Sequence, residues 1–193
     1  MEEKEPIAIR IHGRGGQGAV TLAEIVAQAA INEGKYAQAF PSFGPERRGA
    51  PVQAYIRIDN NNPIRNRAGV NFPDVVVVLD PGLLNVANVT AGLKENGMLI
   101  FNTRQTFDNI IIKPGPKQGL AIIDATSIAR EMLGIPIVNT TMIGALVKAT
   151  GIVKVESLLE PLNKRFGRLA EKNINAMKTA YEKTLIKEKK AVG

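Results

Sequence analysis

The chain has 193 residues, 45% hydrophobic and 22% charged, with no cysteine, no tryptophan and a formal net charge of +7. This size and apolar content predict one compact soluble domain over residues 1–193, and the lack of thiolates excludes a disulfide, a cysteine zinc site or an iron–sulfur cluster on this chain alone. The apolar runs fall well short of the roughly 20 residues of a membrane helix, and the start Met-Glu-Glu-Lys-Glu lacks the basic opening of a signal peptide, so a cytoplasmic protein without a membrane partner is expected.

In chain order, Ile7, Ile9 and Ile11 alternate with Ala8 and Arg10 and predict a first strand ending at His12, just before a glycine cluster. A helix follows from Ala19 to Glu33, with Gly34 as its C-cap. Its polar residues Thr21, Glu24, Gln28 and Asn32 form only a narrow stripe. The helix is therefore expected to be buried on more than one side, by a sheet and by something else, a second chain among the candidates.

Tyr36–Phe40 predicts a second strand, and Val52–Ile58 with Pro63–Asn66 a hairpin around Asn60–Asn62. The β-branched run Val75–Leu79, between Asp74 and Asp80, predicts a strand buried on both faces at the centre of a sheet. A helix is predicted from Pro81 to Leu93, and strands at Met98–Phe101, Ile110–Lys113 and Leu120–Asp124.

From Thr126 the pattern is helical, and the last helix carries Ile174, Met177, Tyr181 and Leu185 at helical spacing with Lys178, Lys183 and Lys187 between them. Residues 164–193 hold nine Lys/Arg and three Glu, whereas the rest carries sixteen basic and fifteen acidic side chains. The positive charge thus belongs to a terminal helix, and no nucleic-acid partner is expected. One rival is a self-sufficient, stand-alone nucleotide-binding oxidoreductase; a second is a binding module using that helix on nucleic acid or an acidic surface, which predicts steeply salt-dependent association.

Gly13-Arg14-Gly15-Gly16-Gln17-Gly18 fits G-x-G-x-x-G between a strand and a helix, where glycines let the backbone approach a diphosphate favoured by the helix N-terminus. A tight strand-to-helix turn alone can also require glycine. A nicotinamide site would place an acid at the end of the second strand, where the chain reads Ala39-Phe40-Pro41-Ser42. A nucleoside triphosphate loop would continue with Lys and Ser/Thr, where the chain reads Ala19-Val20. What is left is an anion cradle of unspecified ligand, with Arg14 as an added cation and Gln17 as a donor. His12, the only histidine, reads as a hydrogen-bonded structural group, and no metal site or Ser/His/Asp triad is expected.

A second constellation, Pro41-Ser42-Phe43-Gly44-Pro45-Glu46-Arg47-Arg48-Gly49-Ala50-Pro51, is a proline-stiffened loop with adjacent arginines. Arg47 and Arg48 can grip phosphate oxygens, pair with acidic groups of a partner, or stay solvated.

These stretches carry a resemblance. His12–Ala19 and Gln38–Pro51, continued by Pro73–Asp80 and Asn139-Thr140-Thr141-Met142-Ile143-Gly144-Ala145, closely resemble the gamma subunits of the pyruvate:ferredoxin oxidoreductases, within the 2-oxoacid:ferredoxin oxidoreductase family. The likeness covers nearly the whole chain. It implies a Rossmann-like α/β three-layer sandwich with a mixed, mostly parallel sheet and a helical C-terminal end, a single gamma-type domain that covers a thiamine centre and contributes to a coenzyme A pocket. The implied reaction turns pyruvate, coenzyme A and oxidised ferredoxin into acetyl-coenzyme A, carbon dioxide and reduced ferredoxin. Thiamine diphosphate, magnesium and iron–sulfur clusters would be held by partner alpha, beta and delta subunits, with ferredoxin meeting the complex. This chain would have no catalytic residue and no activity alone.

By the same resemblance Gly13, Arg14, Gly15, Gly16, Gln17 and Gly18 would line the coenzyme's diphosphate, while Ser42, Arg47 and Arg48 would approach the same ligand or a subunit interface. Asn139 and Thr140, opening a helix expected from Thr141, are further candidate contacts, although Asn139 is also a good N-cap and Ser42 a good turn residue. The wording of the arginine loop looks more like the pyruvate and branched-chain types than the 2-oxoglutarate type.

Overall fold

Apolar residues at every second position, or in β-branched runs, build seven strands in a computed structural model that describes residues 5–42 and 49–187. They are β1 (Ile7–Arg14), β2 (Tyr36–Pro41), β3 (Pro51–Asp59), β4 (Val75–Val78), β5 (Met98–Asn102), β6 (Gly119–Ile123) and β7 (Leu185–Lys187), in one sheet of order β2-β3-β1-β4-β5-β6-β7. Neighbours β1, β4, β5 and β6 run parallel and form the centre, while β3 is antiparallel to β1 and β2, and β7 to β6. All four valines of β4 are buried, as their continuous β-branched pattern requires of a strand covered on both faces.

The helices are α1 (Ala19–Asn32), α2 (Ala125–Leu133), α3 (Asn139–Thr150), α4 (Leu159–Phe166) and α5 (Ala170–Lys183). They cover one face, where Ile9, Ile11, Ile56, Val77 and Ile100 pack against Leu22, Val26, Ile143, Leu146 and Met177. The apolar circumference of α1 is closed by β1, β2 and β3 on one side and by α3 and α4 on another. The chain itself supplies the cover for which a second chain was a candidate.

The opposite face carries a thinner third layer. Val76, Val78, Leu99, Phe101 and Ile122 pack under Leu83, Val89, Leu93 and Ile110, which lie on a short 3-10 turn, Pro81–Asn85, and on irregular chain. Toward β3 that face is polar. Buried Arg10 donates from Nε to His12 Nε2 at 3.0 Å and from its other nitrogens to the carbonyls of Val70, at 3.2 Å, Val89, at 3.1 Å, and Ala91. Arg57 donates to the carbonyls of Asn66, at 3.2 Å, and Ala68, at 2.7 Å, and its guanidinium lies 5.3 Å from the centre of the Phe40 ring. Two arginines thus tie the irregular covering segments to the sheet through their carbonyls.

Four expected elements differ. Pro63–Asn66 is not a strand, because both edges of β3 are already paired and this segment gives its carbonyls to Gln38 and Arg57. Ile110–Lys113 is not a strand either: β5 and β6 pair with each other, and the segment inserts Ile110 over the second face while Ile111 is left 78% exposed. The helix expected over Pro81–Leu93 stops as a 3-10 turn at Asn85, since the Val89 and Ala91 carbonyls turn inward to Arg10. The last helix ends at Lys183, where Thr184 adopts an extended backbone and returns its hydroxyl to the Ala180 carbonyl at 2.6 Å. Leu185–Lys187 then closes the free edge of β6 as β7. Among the described residues no helix is long and apolar enough to cross a membrane.

Candidate functional site

The chain leaves β1 through α1 toward β2, on one side of the sheet, and leaves β4 toward β5 on the other. The carboxyl ends of these adjacent parallel strands therefore flank the point where the winding reverses, the place at which open α/β sheets take ligands. The glycine loop stands at the end of β1, and Asp80-Pro81-Gly82 at the end of β4.

The loop is held on several sides. Gly15 N–H donates to the Ala50 carbonyl at 2.9 Å, and Gly49 N–H to the Gly15 carbonyl at 3.1 Å, so the register of β1 with β3 continues into the loop. The Gln17 N–H returns to the Arg14 carbonyl at 3.0 Å, while Arg14 N–H donates to Gln17 Oε1 at 2.8 Å. Gly18 has φ +80° and precedes the first turn of α1, with no side chain capping that helix and no acid in its first turn. Its conformation disfavours any β-carbon, and one placed there would also lie 2.6 Å from the Asn139 amide nitrogen. Among the described residues, the N–H groups of Gly16, Gly18 and Ala19 meet no acceptor. They are donors at the positive end of a 14-residue helix.

Asp80 completes the arrangement. Its Oδ2 accepts from Arg14 Nε at 3.0 Å and from Gln17 Nε2 at 2.9 Å, and its Oδ1 accepts from Gly82 N–H at 2.8 Å. Arg14 also donates through Nη1 to the Gly49 carbonyl at 3.2 Å. Arg14 and Gln17, expected to face an anion, thus have an internal partner that the glycine motif does not include. The signal for it was present: an acid directly after a fully buried strand next to the glycine loop.

The other expected contacts divide. Asn139 lies against Gly18 and belongs to the loop's surroundings, but α3 begins at Asn139 itself, two residues earlier than expected, with Val138 at the N-cap. Asn139 Oδ1 accepts from the adjacent Thr140 N–H at 2.8 Å, so it does not act as the N-cap. Thr140 is wholly buried and its hydroxyl donates to Asn173 Oδ1 at 3.0 Å, which turns the side chain into the α3–α5 packing and away from any ligand. Ser42 follows β2 and donates its N–H to the Gln53 carbonyl at 2.8 Å. Arg47 and Arg48 lie outside the described residues.

His12 is 4% exposed, and burial first, then the charge of Arg10, pull its pKa down to about 4, against a smaller pull from the Val89 carbonyl. It accepts from Arg10 as a neutral ring within the covering layer and faces no crevice. Among the described residues no group of three or more His, Cys, Asp or Glu side chains could hold a metal ion.

Comparison with known proteins gives the family and supports the fold. The family model for pyruvate ferredoxin/flavodoxin oxidoreductase matches residues 8–183. The chain is 57% identical to the pyruvate/ketoisovalerate oxidoreductases common subunit gamma of Thermococcus litoralis, over 94% of this chain and 99% of that one. It is 54% identical to the pyruvate synthase subunit PorC of Methanothermobacter marburgensis, over 92% and 97%. The crystal structure of the pyruvate oxidoreductase subunit PorC from Thermotoga maritima superposes with a TM-score of 0.84 at 39% identity, covering 96% of this chain and all of that one. The chain belongs to the pyruvate ferredoxin/flavodoxin oxidoreductase family, as a gamma-type chain of its 2-oxoacid:ferredoxin oxidoreductases.

Proposed function

We propose that this chain is the gamma subunit of a pyruvate:ferredoxin oxidoreductase, lying over the thiamine centre of its partners and holding the diphosphate of coenzyme A on the glycine loop. The observation that carries the second part is the set of open N–H groups of Gly16, Gly18 and Ala19 on an uncapped helix at the reversal point of the sheet. Coenzyme A brings a diphosphate, and it has no nicotinamide ribose that would call for an acid at the end of β2. Held at its diphosphate by Gly16, Gly18 and Ala19, the coenzyme would have its thiol kept at a fixed distance from the partners' centre, a contribution of proximity.

The reading places thiamine diphosphate, magnesium and the iron–sulfur clusters on alpha, beta and delta partners. This chain has no cysteine to ligate a cluster. On the resemblance, Ser42, Arg47 and Arg48 would approach the coenzyme or the alpha/beta interface, and Asn139 is a further candidate contact. Pyruvate is the favoured oxoacid; the name of the Thermococcus litoralis relative supports a second use of the same chain in a ketoisovalerate enzyme.

The test is Gly16→Ala in the reconstituted complex. A β-carbon at Gly16 meets nothing within 4 Å, so the loop can accept it, although φ +95° strains it and the added methyl narrows the approach to the open N–H groups. The KM for coenzyme A should rise about tenfold, the scale of one lost hydrogen bond to a charged group, with the KM for pyruvate unchanged. Equal changes in both, with assembly intact, would remove the coenzyme from this loop.

A further inference from the structure

Resting on the glycine loop as an anion site, we propose that Asp80 is a specificity-determining counter-ion: it stands on Arg14 and Gln17 in place of the ligand's anionic group, so that only an anion of higher charge than a carboxylate exchanges with it.

The loop does not need Asp80 for its shape. Its backbone is set by the bonds of Gly15 and Gly49 with their partners and by the reciprocal Arg14–Gln17 turn. What Asp80 contributes is charge, delivered to the two side chains that the loop offers to a ligand, Arg14 at 3.0 Å and Gln17 at 2.9 Å. It is fixed from behind by the Gly82 N–H, which holds its other oxygen at 2.8 Å. The pair bridges from the end of β1 to the end of β4, across the crevice itself. Its side chains are 31% and 21% exposed, so an incoming ligand can reach both and the pair is weakly held.

The charges decide which ligands can enter. A monoanion, such as the carboxylate of a 2-oxoacid, exchanges one carboxylate for another on Arg14 and leaves Asp80 without its cation, so it gains nothing. A diphosphate brings more charge and a geometry that suits the guanidinium fork, and it also meets the open N–H groups of Gly16 and Gly18. Asp80 thus lowers the affinity of every anion but rejects the small ones outright, which keeps an oxoacid present in the same active complex off the coenzyme's seat. Specificity here comes from an unfavourable element set against the wrong ligand.

The experiment uses the assembled enzyme, with inorganic diphosphate and acetate as competitors of coenzyme A. In the native enzyme diphosphate should inhibit competitively and acetate should not. Asp80→Asn removes the charge and keeps one acceptor oxygen, for Gly82 N–H or for Arg14 and Gln17; it should tighten diphosphate inhibition about fivefold, the scale of one partly exposed ion pair, and make acetate and excess pyruvate competitive with coenzyme A. Asp80→Ser, whose hydroxyl can still accept from Gly82 N–H, should behave alike and serves if the asparagine variant fails to assemble. Arg14→Gln should weaken diphosphate in the native background and abolish the gain that Asp80→Asn brings. If diphosphate competes and Arg14→Gln weakens it, yet neither Asp80 variant alters the inhibition by acetate, the counter-ion role is overturned and the cradle stands. If diphosphate does not compete and Arg14→Gln leaves coenzyme A kinetics unchanged, the cradle falls and the role of Asp80 with it.

Discussion

Gly18 and Asn139 abut: a β-carbon on Gly18 would stand 2.6 Å from the Asn139 amide nitrogen and 3.0 Å from its Cβ. The residue before α1 and the first residue of α3 are therefore packed together, and two helix N-termini share the rim of the crevice. Gly18→Ala meets both the positive φ of +80° and this collision. It should cost about 2–3 kcal/mol, of which the backbone part is roughly 1–2. Thermal unfolding of Gly18→Ala, Asn139→Ala and the double variant measures the rest. The double variant should be less destabilised than the sum of the singles, and strict additivity would mean that the two residues do not press on each other.

The rim of the crevice was legible in the sequence for a physical reason. Val75–Val78 announces a strand buried on both faces, and the glycines of 13–18 announce a tight exit from the strand before it; each is a local pattern with a local cause. Ile110–Lys113 has equally strand-like residues and Pro63–Asn66 weaker ones, but a strand needs an open sheet edge, and the edges beside them are taken by β1, β2, β5 and β6. Leu185–Lys187 is the converse, a helix-spaced stretch that met the free edge of β6 and joined it. Asp80 was visible as a flanking acid, but its bond to Arg14 spans 66 positions and became legible only when β1 and β4 lay side by side.

His12 should make stability depend on acid in a definite window. Its folded pKa of about 4 lies below the ordinary 6.5, so between these values the unfolded chain binds the proton that the folded one refuses. The contribution is fully present above pH 6.5 and is lost as the pH falls toward 4. The whole effect is at most about 3 kcal/mol, from the difference between the two pKa values. Urea unfolding at pH 7 and pH 4.5 should show the fall, and His12→Gln, which can still accept from Arg10, should flatten it. A slope unchanged in His12→Gln would assign the acid sensitivity to other groups.

At Gly144 the backbones of α3 and α5 come close together. A β-carbon there would lie 2.1 Å from the Met177 carbonyl oxygen and 2.8 Å from the Tyr181 nitrogen, so two backbones would have to part. Helix propensity favours alanine over glycine by about 1 kcal/mol at such a mid-helix site, and the overlap opposes it. The overlap should win: Gly144→Ala is expected to destabilise the chain by about 2–3 kcal/mol, with Gly144→Ser no better. Calorimetry decides it, since a gain in melting temperature would mean that the helices separate at little cost.

Thr140 separates packing from binding within the stretch that opens α3. Its hydroxyl donates to Asn173 Oδ1 at 3.0 Å in a wholly buried site, and Asn173 in turn donates to the Leu169 carbonyl at 2.9 Å, so a short chain of hydrogen bonds fastens α3 to the start of α5. Thr140→Val keeps the volume and removes the donor, leaving the Asn173 oxygen buried without it. That should cost about 1–3 kcal/mol, the penalty of an unsatisfied buried acceptor, while Thr140→Ser keeps the hydroxyl and should lose less. In the assembled enzyme both variants should keep the native KM for coenzyme A once compared below their unfolding temperature. A selective rise in that KM for Thr140→Val, with native melting, would place the hydroxyl on the ligand after all.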